Sequence, residues 1–154
     1  MASSNPPPYI LIVDDHPDGR EMLTEYLRFR GFEVLDAPNG ETALEHALNR
    51  PPAVILMDLQ MPGIGGWEAT RQLKAHPQTR HVLVIALTAH ALAPDEKIAR
   101  QAGCDAFVAK PFDMVAFGDA ITQVMHRGRA GLAAIDALAP LRGNAVKHRR
   151  TAGT

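Results

Sequence analysis

Chemistry-bearing residues recur along the chain directly after apolar runs: Asp14-Asp15, Asp58, Thr88-Ala89 and Lys110-Pro111. Close carboxylates repel and raise one another's pKa values. A bound divalent cation reverses that balance. Carboxylate oxygen and water are the ligands that Mg²⁺ takes, in octahedral geometry at roughly 2.0–2.1 Å. Gln60, two residues past Asp58, is placed to add a backbone carbonyl oxygen. A metal alone leaves Thr88 and Lys110 without a task. A phosphoryl group on Asp58 uses both: the cation and Lys110 offset charge on two of its oxygens, and Thr88 donates a hydroxyl hydrogen bond to the third. Phosphoryl transfer depends mainly on such positioning and charge stabilisation.

For these residues to meet, the apolar runs before them must be strands of one parallel sheet, whose carboxyl ends emerge on one edge. Tyr9–Val13, Ala53–Met57 and Val82–Leu87 are apolar throughout, as strands buried on both faces are. Phe32–Leu35 and Ala106–Ala109 read as two further strands. Helical spacing fills the gaps. Pro17 opens a helix carrying Met22, Leu23, Tyr26, Leu27 and Phe29, with Gly31 as its stop. Glu41–Asn49, Trp67–Ala75, Pro94–Ala102 and a helix from Met114 follow, with Asn39-Gly40 as a turn and Gly103 as a stop. Met114, Phe117, Ile121 and Val124 make the last helix amphipathic. Gly118 inside it is expected to cost ~1 kcal/mol relative to Ala. Five β-α units imply a doubly wound α/β fold with helices on both faces. Five strands without a second half favour the flavodoxin-like order 2-1-3-4-5, which makes strands one and three neighbours at the switch point.

The 154 residues suit one domain. Its parts read as a polar, Pro-rich start (1–8), a folded body (9–127) and a basic, Ala/Gly-rich tail (128–154). No apolar run approaches the ~20 residues of a membrane span. Residues 1–8 lack the charged and apolar regions of a signal peptide. Cys104 is the single cysteine, which excludes an internal disulfide and suits a small core residue. A cytoplasmic protein is the expectation. Net charge is −1, yet six of the 16 Lys/Arg fall in residues 127–154 against one acid, Asp136.

The stretches Ile12-Val-Asp-Asp15, Met57-Asp-Leu-Gln-Met-Pro-Gly63, Ala86-Leu-Thr-Ala89 and Lys110-Pro-Phe112 resemble the receiver domain of bacterial two-component response regulators, the CheY-like family. The resemblance covers about Tyr9 to Arg127. It implies a signalling switch phosphorylated on Asp58 by a histidine kinase or a histidine phosphotransfer protein. It further implies Asp14, Asp15 and Asp58 as ligands of Mg²⁺ (or Mn²⁺), Thr88 and Lys110 as phosphoryl contacts, and Thr88 with Phe107 as the switch pair. The responding surface would be the face of helix four, strand five and helix five, acting on a protein partner by population shift. Such a protein is no enzyme beyond its own phosphoryl transfer and dephosphorylation. Gly65 departs from the Asp often found there, and Gln60 and His90 sit where the family tunes phospho-aspartate lifetime.

In the tail, Leu132, Ile135 and Leu138 share one side of a short helix that Pro140 ends. This stretch extends helix five, packs on the body or binds a partner. The Lys147-His-Arg-Arg150 cluster keeps open a nucleic-acid-binding regulator, for which non-specific, salt-sensitive binding is expected. A receiver piece of a hybrid histidine kinase reads alike, though Met1 and an unstructured tail favour a full-length regulator. Haloacid-dehalogenase-type phosphatases resemble another pattern, with a second Asp two residues on, where this chain has Gln60. Neither G-x-G-x-x-G after strand one nor a nucleotide P-loop is present.

Overall fold

In the computed structural model, residues 7–59, 61, 65–89 and 93–138 are described. Five parallel strands, β1 (Tyr9–Val13), β2 (Glu33–Ala37), β3 (Val54–Asp58), β4 (Leu83–Thr88) and β5 (Ala106–Ala109), form one sheet in the order β2-β1-β3-β4-β5. This is the flavodoxin-like order expected from the β-α alternation. Helices α1 (Pro17–Phe29), α2 (Gly40–Asn49), α3 (Gly66–Ala75), α4 (Ala93–Ala102) and α5 (Met114–Arg127) connect and cover it.

Side-chain alternation along each strand divides the interior in two. Ile10, Ile12, Leu56, Ile85 and Val108 join Leu23 and Leu27 of α1 and Phe117, Ile121 and Val124 of α5. Leu11, Val13, Ile55, Met57, Val84 and Ala86 join Ala43 and Ala47 of α2, Ala69 and Leu73 of α3, and Ala99 of α4. The all-buried burial of β1, β3 and β4 is why their sequences carry no polar alternation.

Helix ends follow local chemistry. The Asn39 side chain accepts the Thr42 N–H at 2.8 Å, so Asn39 caps α2. Asp113 caps α5 by accepting the Val115 N–H at 3.1 Å. Gly31, at φ +101°, closes α1 while the Phe32 N–H reaches back to the Leu27 carbonyl. That closure delays β2, which starts at Glu33 rather than Phe32 and runs on through Asp36 to Ala37.

Three features depart from the sequence pattern. On α1, Leu23 and Leu27 are buried, but Met22 and Phe29 are 59% and 84% exposed despite their helical spacing. Gly118 is no mere helix-weakening residue. A Cβ there would stand 2.5 Å from Arg30 Nη1 and 2.9 Å from Tyr26 Cε2, so its absence makes room for these two side chains against α5. The first part of the tail is structured: Gly128–Gly131 forms a 3₁₀ turn and Leu132–Asp136 a short helix, α6. Of the readings open for this stretch, packing on the body holds, since Leu132 and Ile135 are buried and Leu138 packs beside them. Pro140 and the Lys147–Arg150 cluster lie outside the described residues.

Candidate functional site

The register of the sheet assembles the site. Asp58, the last residue of β3, pairs with Leu87, and Thr88, the last of β4, pairs with Ala109. The Lys110 N–H donates to the Thr88 carbonyl at 2.8 Å, which carries Lys110 onto the same edge. The Lys110–Pro111 peptide bond is cis. On the other side, the Asp14 N–H donates to the Ala37 carbonyl at 3.1 Å, extending the β1–β2 ladder by one residue.

Lys110 Nζ lies 3.7 Å from Asp14 Oδ2 and 3.9 Å from Asp58 Oδ2. Asp14, Asp58 and Thr88 are buried, while the Lys110 side chain keeps 31% exposure. The ammonium thus closes one side of a carboxylate cluster that opens to solvent. Asp14, Asp15, His16 and Asp58 each place a ligand atom within 4.8 Å of the others. His16 is mostly solvated, with its side chain 74% exposed, yet its Nδ1 is 3.1 Å from Asp15 Oδ1. Its backbone N–H donates to Asp14 Oδ1 at 2.9 Å, fixing that carboxylate's rotamer.

Asp15 Oδ1 is buried and accepts no well-aligned hydrogen bond, although the solvated His16 Nδ1 stands 3.1 Å away. A buried carboxylate oxygen left so is costly unless a cation completes it. Three carboxylates around it form a hard-oxygen donor set, which fits Mg²⁺ better than a soft metal.

The sequence pattern places Asp14, Asp15, Asp58, Thr88 and Lys110 on one sheet edge, and the structure does the same. Phe107 sits within β5, half-buried against the core on the α2–α3–α4 side. Gln60 and His90 fall outside the described residues. Two supporting residues escape a motif-based reading. Arg20 Nη1 donates to the Asp14 carbonyl at 2.7 Å, and its Nε donates to Asp36 Oδ2 at 2.9 Å, bracing the β1 end from α1. Gly66 opens α3 directly beneath the site: a Cβ there would stand 2.6 Å from the Asp58 carbonyl oxygen and 2.9 Å from Leu59 Cα. Its only sequence signal is its position after Gly65 at the head of a helix.

Comparison with known families decides between the readings of this edge. Residues 10–122 match the model of the response regulator receiver domain. The chain belongs to this family. It is a receiver domain of two-component signalling, a class whose acidic site binds Mg²⁺ and whose partners are kinases or phosphotransfer proteins. Among curated receivers, the polar-differentiation response regulator DivK of Brucella anthropi is 36% identical over 115 residues, covering 75% of this chain and 94% of DivK. The receiver domain of sensor histidine kinase PA1611 from Pseudomonas aeruginosa superposes with a TM-score of 0.70 at 32% identity. That match covers 81% of this chain and 99% of the other, and a magnesium ion is coordinated in the active-site cleft of that receiver. The chemotaxis protein CheY4 of Vibrio cholerae superposes with a TM-score of 0.72 at 25% identity, covering 77% and 99% of the two chains. Among the described residues no helix is long and apolar enough to cross a membrane.

Cys104 plays no part at this edge. It is buried beside Thr70, and burial pushes its thiol up to about 11. A thiol so protonated is a poor nucleophile.

Proposed function

We propose that this receiver is a phosphorylation-dependent switch in which Asp58 accepts a phosphoryl group from a phosphohistidine on a histidine kinase or phosphotransfer protein. The observation that carries this reading is the position of Lys110 Nζ, within 4 Å of both Asp14 and Asp58 carboxylates. In the transfer, an Asp58 carboxylate oxygen forms the new O–P bond as the donor's N–P bond breaks. The imidazole nitrogen keeps the bonding electron pair and leaves as neutral histidine, taking up a proton where the other ring nitrogen carries none.

Each residue then has a defined task. Lys110 offers its ammonium to an equatorial phosphoryl oxygen, and Thr88 offers a hydroxyl donor. Asp14, Asp15, Asp58 and the Gln60 carbonyl would hold Mg²⁺. Bound there, the ion supplies charge neutralisation for the transferring group. Arg20 and the His16 backbone N–H keep Asp14 in position. The chain catalyses only its own phosphorylation and dephosphorylation, acts in the cytoplasm and delivers its output to a protein partner through α4, β5 and α5, with Thr88 and Phe107 as the moving pair.

The test uses acetyl phosphate as donor, with and without Mg²⁺, on wild type and Asp58→Asn. Base-labile label that requires both Mg²⁺ and Asp58 is expected, with the circular dichroism of the variant unchanged. Label that survives in Asp58→Asn removes the assignment.

A further inference from the structure

We propose that residues 128–138 are an intramolecular latch on the β5 edge, released when Asp58 is phosphorylated. The proposal rests on the phosphoacceptor reading above and adds a response element within the chain itself.

β5 is an outer strand of the sheet. After α5 the chain reverses at Gly128, which adopts φ +60°. It then passes so close to α5 that a Cβ on Gly131 would run into the Gln123 carbonyl. α6 thereby lies against both α5 and β5. Leu132 and Ile135 are buried in the cluster that holds Ala106, Val108, Ile121 and Val124. One ion pair holds its start, and a longer, solvent-exposed one stands at its far end. Arg129 Nη2 is 3.0 Å from Asp105 Oδ1, and Asp136 Oδ1 is 3.8 Å from Arg100 Nη2 on α4. The segment therefore spans from α5 across the β5 edge to α4, the face through which output was assigned above.

β5 is also the strand that leads into the site. Its last residue, Ala109, pairs with Thr88, and Lys110 follows at once. Its other end is anchored at Asp105, which accepts from Lys74 Nζ at 2.8 Å, from the Val84 N–H at 2.9 Å and from Arg129. A phosphoryl group that draws Thr88 and Lys110 toward Asp58 pulls one end of a strand whose other end is fixed. The strand tilts, and a close-packed contact does not follow such a tilt continuously. α6 is the part of this assembly least able to hold on. It has five residues, too few to be stable as a helix by itself, and two apolar anchors.

The test is amide hydrogen exchange on the full chain, with and without acetyl phosphate and Mg²⁺, with Asp58→Asn as control. The Ala137 N–H, bonded to the Ala133 carbonyl at 3.1 Å, and the Leu138 N–H, bonded to the Ile135 carbonyl at 3.1 Å, report the docked helix. Phosphodonor should speed exchange across 129–138 by about fivefold or more in wild type and leave the control unchanged. Unchanged exchange in 129–138, beside altered exchange around Lys110, overturns the latch and spares the phosphoacceptor reading. No change anywhere, with no label on Asp58, overturns both.

Discussion

Replacing Gly66 by Ala sets two effects of opposite sign against each other. In a helix interior, Gly to Ala gains up to about 1 kcal/mol from backbone entropy and helix propensity. Gly66 is the first residue of α3, where that gain is only partly realised. Against it stands a contact of 2.6 Å between the new methyl and the Asp58 carbonyl oxygen, with Leu59 Cα at 2.9 Å. Both are backbone atoms, so no side-chain rotation relieves the overlap. Either the head of α3 or the Asp58–Leu59 peptide must move by roughly 0.8 Å to restore ordinary contact distances. Overpacking of this kind costs about 1–3 kcal/mol. The net expectation is a loss of about 1–2 kcal/mol, or a Tm lower by roughly 3–8 °C. Because the displaced backbone carries Asp58, the carboxylate also shifts relative to Lys110, and labelling by acetyl phosphate should slow by about tenfold. Urea unfolding followed by circular dichroism reads the first effect, and the rate of label incorporation the second. A Gly66→Ala protein as stable as wild type and labelled at the same rate would refute the claim that α3 must touch the Asp58 backbone.

Three further outcomes follow from the same structure. Mg²⁺ should raise the Tm of wild type, by the equivalent of about 2.7 kcal/mol at a hundredfold excess over Kd. Asp15→Asn should lose most of that gain in parallel thermal melts, whereas equal gains would exclude Asp15 as a ligand. Tyr9→Phe should cost about 1 kcal/mol in urea unfolding, because the Tyr9 hydroxyl donates to the Arg50 carbonyl at 2.7 Å. Burial raises the Cys104 thiol to about 11 from an ordinary 9.0, so the unfolded chain loses this proton first as pH rises. The stability it contributes is complete below pH 9 and fades between 9 and 11. Cys104→Ala should flatten that part of the stability–pH curve, and an unchanged slope would show that other groups set it.

Legibility in the sequence tracked how local the determining physics is. β1, β3 and β4 are buried on both faces and so appear as unbroken apolar runs, and each hands over directly to a polar residue of the site. β2 was harder to bound because Glu33 and Asp36 serve partners elsewhere: Glu33 pairs with Arg50 and Asp36 with Arg20. The carboxylate cluster, Thr88 and Lys110 could be placed together from strand order alone. Arg20, Gly66 and Gly118 could not, since each matters through a contact with an element distant in sequence or through the absence of a Cβ. The docking of Leu132 and Ile135 was one of several readings open in the sequence, because a short amphipathic stretch looks the same whichever surface it covers.

The latch region also bears on solubility. A sheet has two borders, and each exposes backbone that another molecule can pair with. The β2 border is defended by the charges of Glu33 and Asp36 and by the arginines that meet them. The β5 border reads Ala-Phe-Val-Ala and has no charge of its own. Instead α6 lies against it, with Leu132 and Ile135 packed on Ala106 and Val108. A chain cut before Gly128 would keep every residue of the phosphoryl site and yet bare this apolar rim. Such a shortened form is a poor surrogate for the full chain where colloidal behaviour or self-association is measured.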